Sequence, residues 1–225
     1  MRYEWLVGAL VSVAVAGCTS SGPVGNPLVR GVEWFSYLNG DDIRQACQPG
    51  SPDRYRLVYN AVYTEQVRTY DVVGSTANGG RLSMRAIGRN NFSNTTLDDL
   101  LRSFTGNSAE ATLGGQQVVQ LSNALAASGF DRPAPDGTFL RSDGFYWVVS
   151  ACRGGTFHFN AWMGPEGFEQ LQFVGLLRGW DTTGKPFNEV RQQALGPFRS
   201  DTSHGSPVDG QQFLLQVGPN GLRHI

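Results

Sequence analysis

The alternation of apolar and polar positions divides the chain into short strands and a few helices. From Arg54 to Tyr63 every second residue (Tyr55, Leu57, Tyr59, Ala61, Tyr63) is apolar or aromatic, the period of a strand with one packed face. Only Thr64-Glu65 separates this run from a second, Gln66 to Val73, and Gly79-Gly80 precedes a third, Arg81 to Gly88. Three strands joined by short links predict an antiparallel meander. Phe145 to Cys152 and Thr156 to Met163, split by Arg153-Gly154-Gly155, predict a central hairpin whose second strand sets Phe157, Phe159 and Ala161 on one side and His158, Asn160 and Trp162 on the other. Gly31 to Leu38, rich in aromatic and β-branched residues, reads as a strand or docked extended segment. Gln211 to Val217 reads as a last strand, turned by Pro219-Asn220-Gly221.

Helical spacing occurs in four places. Ile43 to Cys47 follows the turn Asn39-Gly40-Asp41-Asp42, whose acidic residues suit a helix N-terminus. Thr96-Leu97-Asp98-Asp99 has capping-box form, with Leu97, Leu100, Leu101 and Phe104 behind it. Gly115 to Ser128 turns Val118, Leu121 and Leu125 inward and stops at Gly129. Glu166 to Arg178 carries Phe168, Leu171, Val174 and Leu177 on one face and stops at Gly179. The expected fold is α+β: an antiparallel sheet of five to seven strands, with the helices near 97–105, 115–128 and 166–178 packed on one side. No period of repeat length recurs, which speaks against a solenoid or propeller.

The apolar run Leu6 to Cys18 belongs to neither pattern. Its thirteen residues would rise about 20 Å as a helix, short of a hydrocarbon core of about 30 Å. A charged start, an apolar middle and a small-residue ending form the layout of a secretory signal. The ending Val15-Ala16-Gly17-Cys18 resembles the lipobox of bacterial lipoproteins. That resemblance implies diacylglycerol on the Cys18 thiol, cleavage of residues 1–17, acylation of the new amino terminus and stable anchoring in a bilayer. Thr19 in place of the aspartate that often retains lipoproteins in the inner membrane implies the periplasmic face of the outer membrane. Thr19 to Leu28, rich in Ser, Gly, Pro and Asn, reads as a tether with an r.m.s. span of about 17 Å. Residues 29–225 then form one α+β domain.

Composition adds two constraints. The chain has 18 basic and 19 acidic residues and a net charge of −1. Removing Arg2 and Glu4 with the signal leaves that balance unchanged, and a near-neutral chain has no overall field to gather nucleic acid. Once Cys18 is acylated, Cys47 and Cys152 remain. In an oxidising compartment an even pair predicts a disulfide, with unrelated buried thiols as the competing reading.

No catalytic constellation emerges. Gly179-Trp180-Asp181-Thr182-Thr183-Gly184-Lys185 has the glycines and lysine of a phosphate-cradling loop, but Pro186 replaces the hydroxyl that would hold Mg²⁺ and the segment follows a helix. Cys152 with His158 and Asn160 has the residue types of a thiol–imidazole pair, which a disulfide would abolish. Ser203, His204, Ser206 and Asp209 have the types of a serine hydrolase in no known order. No cysteine or histidine spacing fits zinc, and no acidic run fits calcium. Arg54, Arg56 and Arg68 interleave with Tyr55, Tyr59, Tyr63 and Tyr70, a pattern suited to an anionic ligand or to a sheet with one wet face. His158, Asn160 and Trp162 form the first candidate ligand-binding face. The expected role is a non-catalytic lipoprotein that meets the bilayer through Cys18 and binds an envelope protein or glycan, without nucleic acid and without a cofactor. A cell-wall or lipid hydrolase and a glycan-binding module are the alternatives.

Overall fold

The computed structural model describes residues 34–88, 107–196 and 213–223. Residues 34–39 are helical (α1), followed by α2 (Asp41–Ala46) and three strands, β1 (Asp53–Ala61), β2 (Gln66–Ser75) and β3 (Gly79–Gly88). Then come β4 (Asn107–Leu113), α3 (Gly115–Ala127), β5 (Phe139–Arg141), β6 (Phe145–Arg153) and β7 (Thr156–Met163). A single 3-10 turn, Phe168–Gln170, precedes α4 (Gln172–Trp180), and β8 (Leu214–Gly218) and β9 (Gly221–Arg223) end the described chain.

The strands form a six-stranded sheet in the order β4-β3-β2-β1-β6-β7 and a three-stranded sheet β5-β8-β9, antiparallel throughout. The expected meander is β1-β2-β3, and the expected hairpin is β6-β7, which docks on the free edge of β1 with Leu57 opposite Val149. The fold is therefore α+β and mainly antiparallel.

Both faces of the large sheet are covered. One face presents Tyr55, Leu57, Tyr59, Tyr70, Val72, Leu82, Met84, Trp147 and Val149 to Val118, Leu121 and Leu125 of α3 and to Phe173 and Leu177 of α4. The other presents Val58, Val67, Tyr146, Val148, Phe159 and Ala161 to Trp34 and Leu38 of α1 and to Leu140, Leu215, Val217 and Leu222 of the small sheet. Of the helices expected on one side, α3 and α4 cover the first face, while α1 packs on the opposite one, so the helices do not all lie on one side. What is corrected is the aromatic run at Gly31 to Leu38, read as extended. Trp34 and Leu38 lie four apart, one above the other on a helix, and both are buried. The helix expected at 97–105 lies outside the described residues.

The helix expected from Glu166 to Arg178 is broken. Gly167 has φ 83°, Leu171 is extended and buried, and α4 begins after it. The Gln172 amide, at the start of α4, donates 2.8 Å to Ser128 Oγ, so a residue beyond the end of α3 caps α4 from outside. Alternation along β1 also ends earlier than expected. Val62 has φ 58°, which turns Tyr63 away from the Tyr59 face and toward Trp34 and Phe213.

Candidate functional site

Arg68 organises the site. It points, by strand alternation, to the same face as Tyr70 and Val72, and its side chain is 0 % exposed. Nε donates 2.9 Å to Gln66 Oε1, Nη1 donates 2.5 Å to Asp181 Oδ2 and 3.3 Å to Thr183 Oγ1, and Nη2 donates to the Lys185 and Pro186 carbonyls at 2.5 and 2.8 Å. The segment that imitates a phosphate loop therefore turns carbonyl oxygens inward around a guanidinium. A cradle of that polarity holds a cation, and the cation is the protein's own.

Beyond this node residues 181–196 run as a strap across the end of the sheet. Asn188 Nδ2 donates 2.9 Å to the Ala61 carbonyl and 2.8 Å to Glu65 Oε2, and Arg191 pairs with Glu65 at 2.8 Å. Between strap, 3-10 turn and α4 lies a half-open cleft of about 240 Å³ lined by Tyr59, Trp147, Pro165, Phe168, Glu169, Val174, Arg178, Phe187 and Val190. Tyr59 is the centre of its ring cluster, stacked on Trp147 at 4.8 Å, with Phe168 at 6.4 Å and Phe187 at 6.2 Å. Burial, reinforced by the charge of Glu189, pushes the Tyr59 phenol above its ordinary range, so it stays protonated and donates 2.9 Å to the Asn188 carbonyl. The Phe168 ring lies against Gly164, where a Cβ would come within 2.8 Å of it, so a side chain there would displace the ring. At the rim Arg178 lies 4.8 Å over Phe187 and clasps Glu189 through two hydrogen bonds of 2.9 and 2.7 Å.

The residues singled out by sequence occupy other places. His158, Asn160 and Trp162 do share a face of β7, but that face is covered. Asn160 is 3 % exposed, and its Nδ2 lies 3.2, 3.4 and 3.2 Å from the carbonyls of Gly129, Phe130 and Arg132, which fastens the loop after α3 across the edge strand. Trp162 packs on Phe173 at 5.5 Å and His158 on Phe130 at 6.1 Å. Replacing Asn160 with alanine strips those buried carbonyls of their donor, and the expected cost is about 1–3 kcal/mol. Thermal melting checks it, with an expected fall of about 3–10 °C for a domain of this size. An unchanged melting temperature would show that the loop is held otherwise.

Cys47 and Cys152 are joined in a disulfide, which leaves neither as a thiolate nucleophile. The interleaved arginines and tyrosines separate onto two faces. Arg56 meets Asp42 at 2.6 Å and Asp71 at 2.8 Å and lies 3.8 Å over Tyr37, and Arg54 also pairs with Asp42, so these cations are neutralised within the fold. Burial alone would raise the Asp42 carboxyl, but the hydrogen bond and charge of Arg56 outweigh it and hold it below the ordinary carboxylate range. Among the described residues no group of His, Cys, Asp and Glu is placed to hold a metal ion. Cys18 and the Ser203, His204, Ser206 and Asp209 group lie outside the described residues.

The cleft was not visible in sequence because its walls come from β1, β6, the 3-10 turn, α4 and the strap, some 130 residues apart at the extremes. The one local signal is Phe187 and Val190, two apolar residues three apart around Asn188-Glu189 in a segment with no regular structure. Compared with known proteins, the chain matches no family model, no curated protein and no solved structure.

Proposed function

We propose that the chain is an exported lipoprotein, anchored through Cys18 to the periplasmic face of the outer membrane, whose folded part is a non-catalytic binding domain that recognises its ligand at the aromatic cleft. The observation that carries the reading is the Cys47–Cys152 disulfide, a bond that persists in oxidising compartments and is rare in the cytosol. It supports export independently of the Val15-Ala16-Gly17-Cys18 ending. The cleft supports binding: it is concave and aromatic, and its Tyr59 phenol is tied to the Asn188 carbonyl of the strap. His158, the single histidine among the described residues, packs on Phe130 away from the cleft lining.

Cells expressing the full chain should incorporate labelled palmitate into it, and the protein should fractionate with outer membranes. In Cys18→Ala both label and membrane association should be lost while the domain still folds with its disulfide. An unlabelled wild-type chain, or a Cys18→Ala chain that stays in the membrane fraction, would refute the anchoring.

A further inference from the structure

Two ring–carboxylate pairs border the cleft. On the strap, Phe187 and Glu189 hold the guanidinium of Arg178, which lies 4.8 Å over the ring while both of its Nη atoms donate to the carboxylate. On the 3-10 turn, Phe168 and Glu169 line the same cleft. Among the described residues no cation stacks on Phe168 and none pairs with Glu169. The rim thus sets one guanidinium, Arg178, against two carboxylates, Glu169 and Glu189, and carries a net charge of −1. Its walls are four aromatic rings, and ring faces attract cations. Charge and ring electrostatics agree in sign, and neither favours an anion.

We propose that this cleft binds a small organic ammonium cation with apolar substituents, its charged head between the Phe168 ring and the Glu169 carboxylate and its apolar part against Tyr59 and Trp147. The proposal rests on the reading of the domain as a binding module and names the ligand class of that same cleft. Its volume of about 240 Å³ exceeds the roughly 150 Å³ that holds benzene in an engineered cavity, leaving room for one ring and a few further carbons. Arg178 on Phe187 shows the chemistry at work within the chain. The ligand would repeat it a few residues away with a cation supplied from solution.

Benzyltrimethylammonium titrated into the full chain in a neutral detergent, followed by calorimetry and NMR, tests this. Three ligands of similar size are compared: that cation, its neutral isostere neopentylbenzene, and phenylacetate. The cation is expected to saturate one site with a Kd below about 1 mM, and the neutral isostere to bind about tenfold more weakly. Glu169→Gln, an exposed and isosteric change, should weaken the cation about fivefold without altering the neutral compound, and Phe168→Leu should weaken both. Neopentylbenzene or phenylacetate binding as tightly as the cation would overturn the ligand class while leaving a binding cleft in place. A cation affinity indifferent to both substitutions, or no saturable binding of any of the three, would overturn the site itself. None of these outcomes bears on palmitate labelling at Cys18, so the anchoring stands or falls separately.

Discussion

Cys47→Ala/Cys152→Ala is expected to lower the unfolding free energy by about 4–5 kcal/mol, because the bond closes a loop with a sequence separation of 105 residues and such a loop restricts the unfolded chain strongly. Inside that loop lie all of β1 to β5, α3 and most of β6, so the unfolded ensemble of half the domain is narrowed by one covalent link. The folded state gains little by comparison. Cys47 follows α2, which is already tied to the sheet by Arg56 to Asp42 and by Arg44, whose guanidinium lies 4.1 Å over Phe157 and donates 2.6 Å to the Asn220 carbonyl. The melting temperature should fall by about 10–20 °C for a domain of this size. Wild-type protein held in reductant should fall to the same temperature if the cross-link, and not the packing of two sulfur atoms, is responsible. A double variant melting within a couple of degrees of the oxidised protein would show that the loop contributes little and that the unfolded chain is compact without it.

That bond is also where sequence reasoning reached furthest, since a count of cysteines and a compartment were enough. The strands β1, β2, β3, β6 and β7 were legible for a different reason. Each is long and rich in large apolar residues, in period-two alternation along β1 and β3 and as a continuous apolar run in β6, which is buried on both faces. Helix α3 was legible from Val118, Leu121 and Leu125 alone. β4 was missed because two of its inward residues, Ala109 and Ala111, are too small to register with Leu113 as an apolar face, and β5 and β9 because three residues hold no period. α1 was missed because aromatic content was weighed above the i, i+4 spacing of Trp34 and Leu38. The candidate face was legible as a face, but not what packs against it. His158, Asn160 and Trp162 drew notice as chemistry-bearing side chains on a strand face, yet an edge strand with polar and aromatic residues needs them to hold whatever covers it, here the loop after α3. The residues that shape the cleft are ordinary in sequence and meet only through the strap. One clue was present and unused: Gln66, Arg68, Tyr70 and Val72 alternate as a buried face, which places Arg68 inside the core and demands a carboxylate to meet it.

Arg68→Met is the test of that demand. With side chains 0 % and 5 % exposed, Arg68 and Asp181 form a buried pair, and removing the guanidinium strands the carboxylate, at an expected cost of about 3–5 kcal/mol. The pH dependence distinguishes this from simple loss of packing. In the native protein burial alone would raise the Asp181 carboxyl, but hydrogen bonds from Thr183 and Tyr70, with the charge of Arg68, outweigh it and hold it below the ordinary carboxylate range. A group depressed in the folded state contributes stability that is present above its unfolded value near about pH 4 and lost as pH falls through the folded value. The native protein should therefore hold this contribution from neutral pH down to about pH 4 and lose it below. Without Arg68 one of the groups that hold the carboxyl down is gone, so it rises from its native value and protonation relieves the variant. The gap in stability between native protein and variant, measured by denaturant unfolding, should consequently narrow as pH falls through the carboxylate range. Arg68→Met/Asp181→Asn should recover about half of the loss at pH 7 or more, since no charge is left buried and unpaired. A gap that stays constant with pH, together with a double variant no better than the single, would mean that Arg68 acts by filling space between β2 and the strap, with its charge irrelevant to the fold.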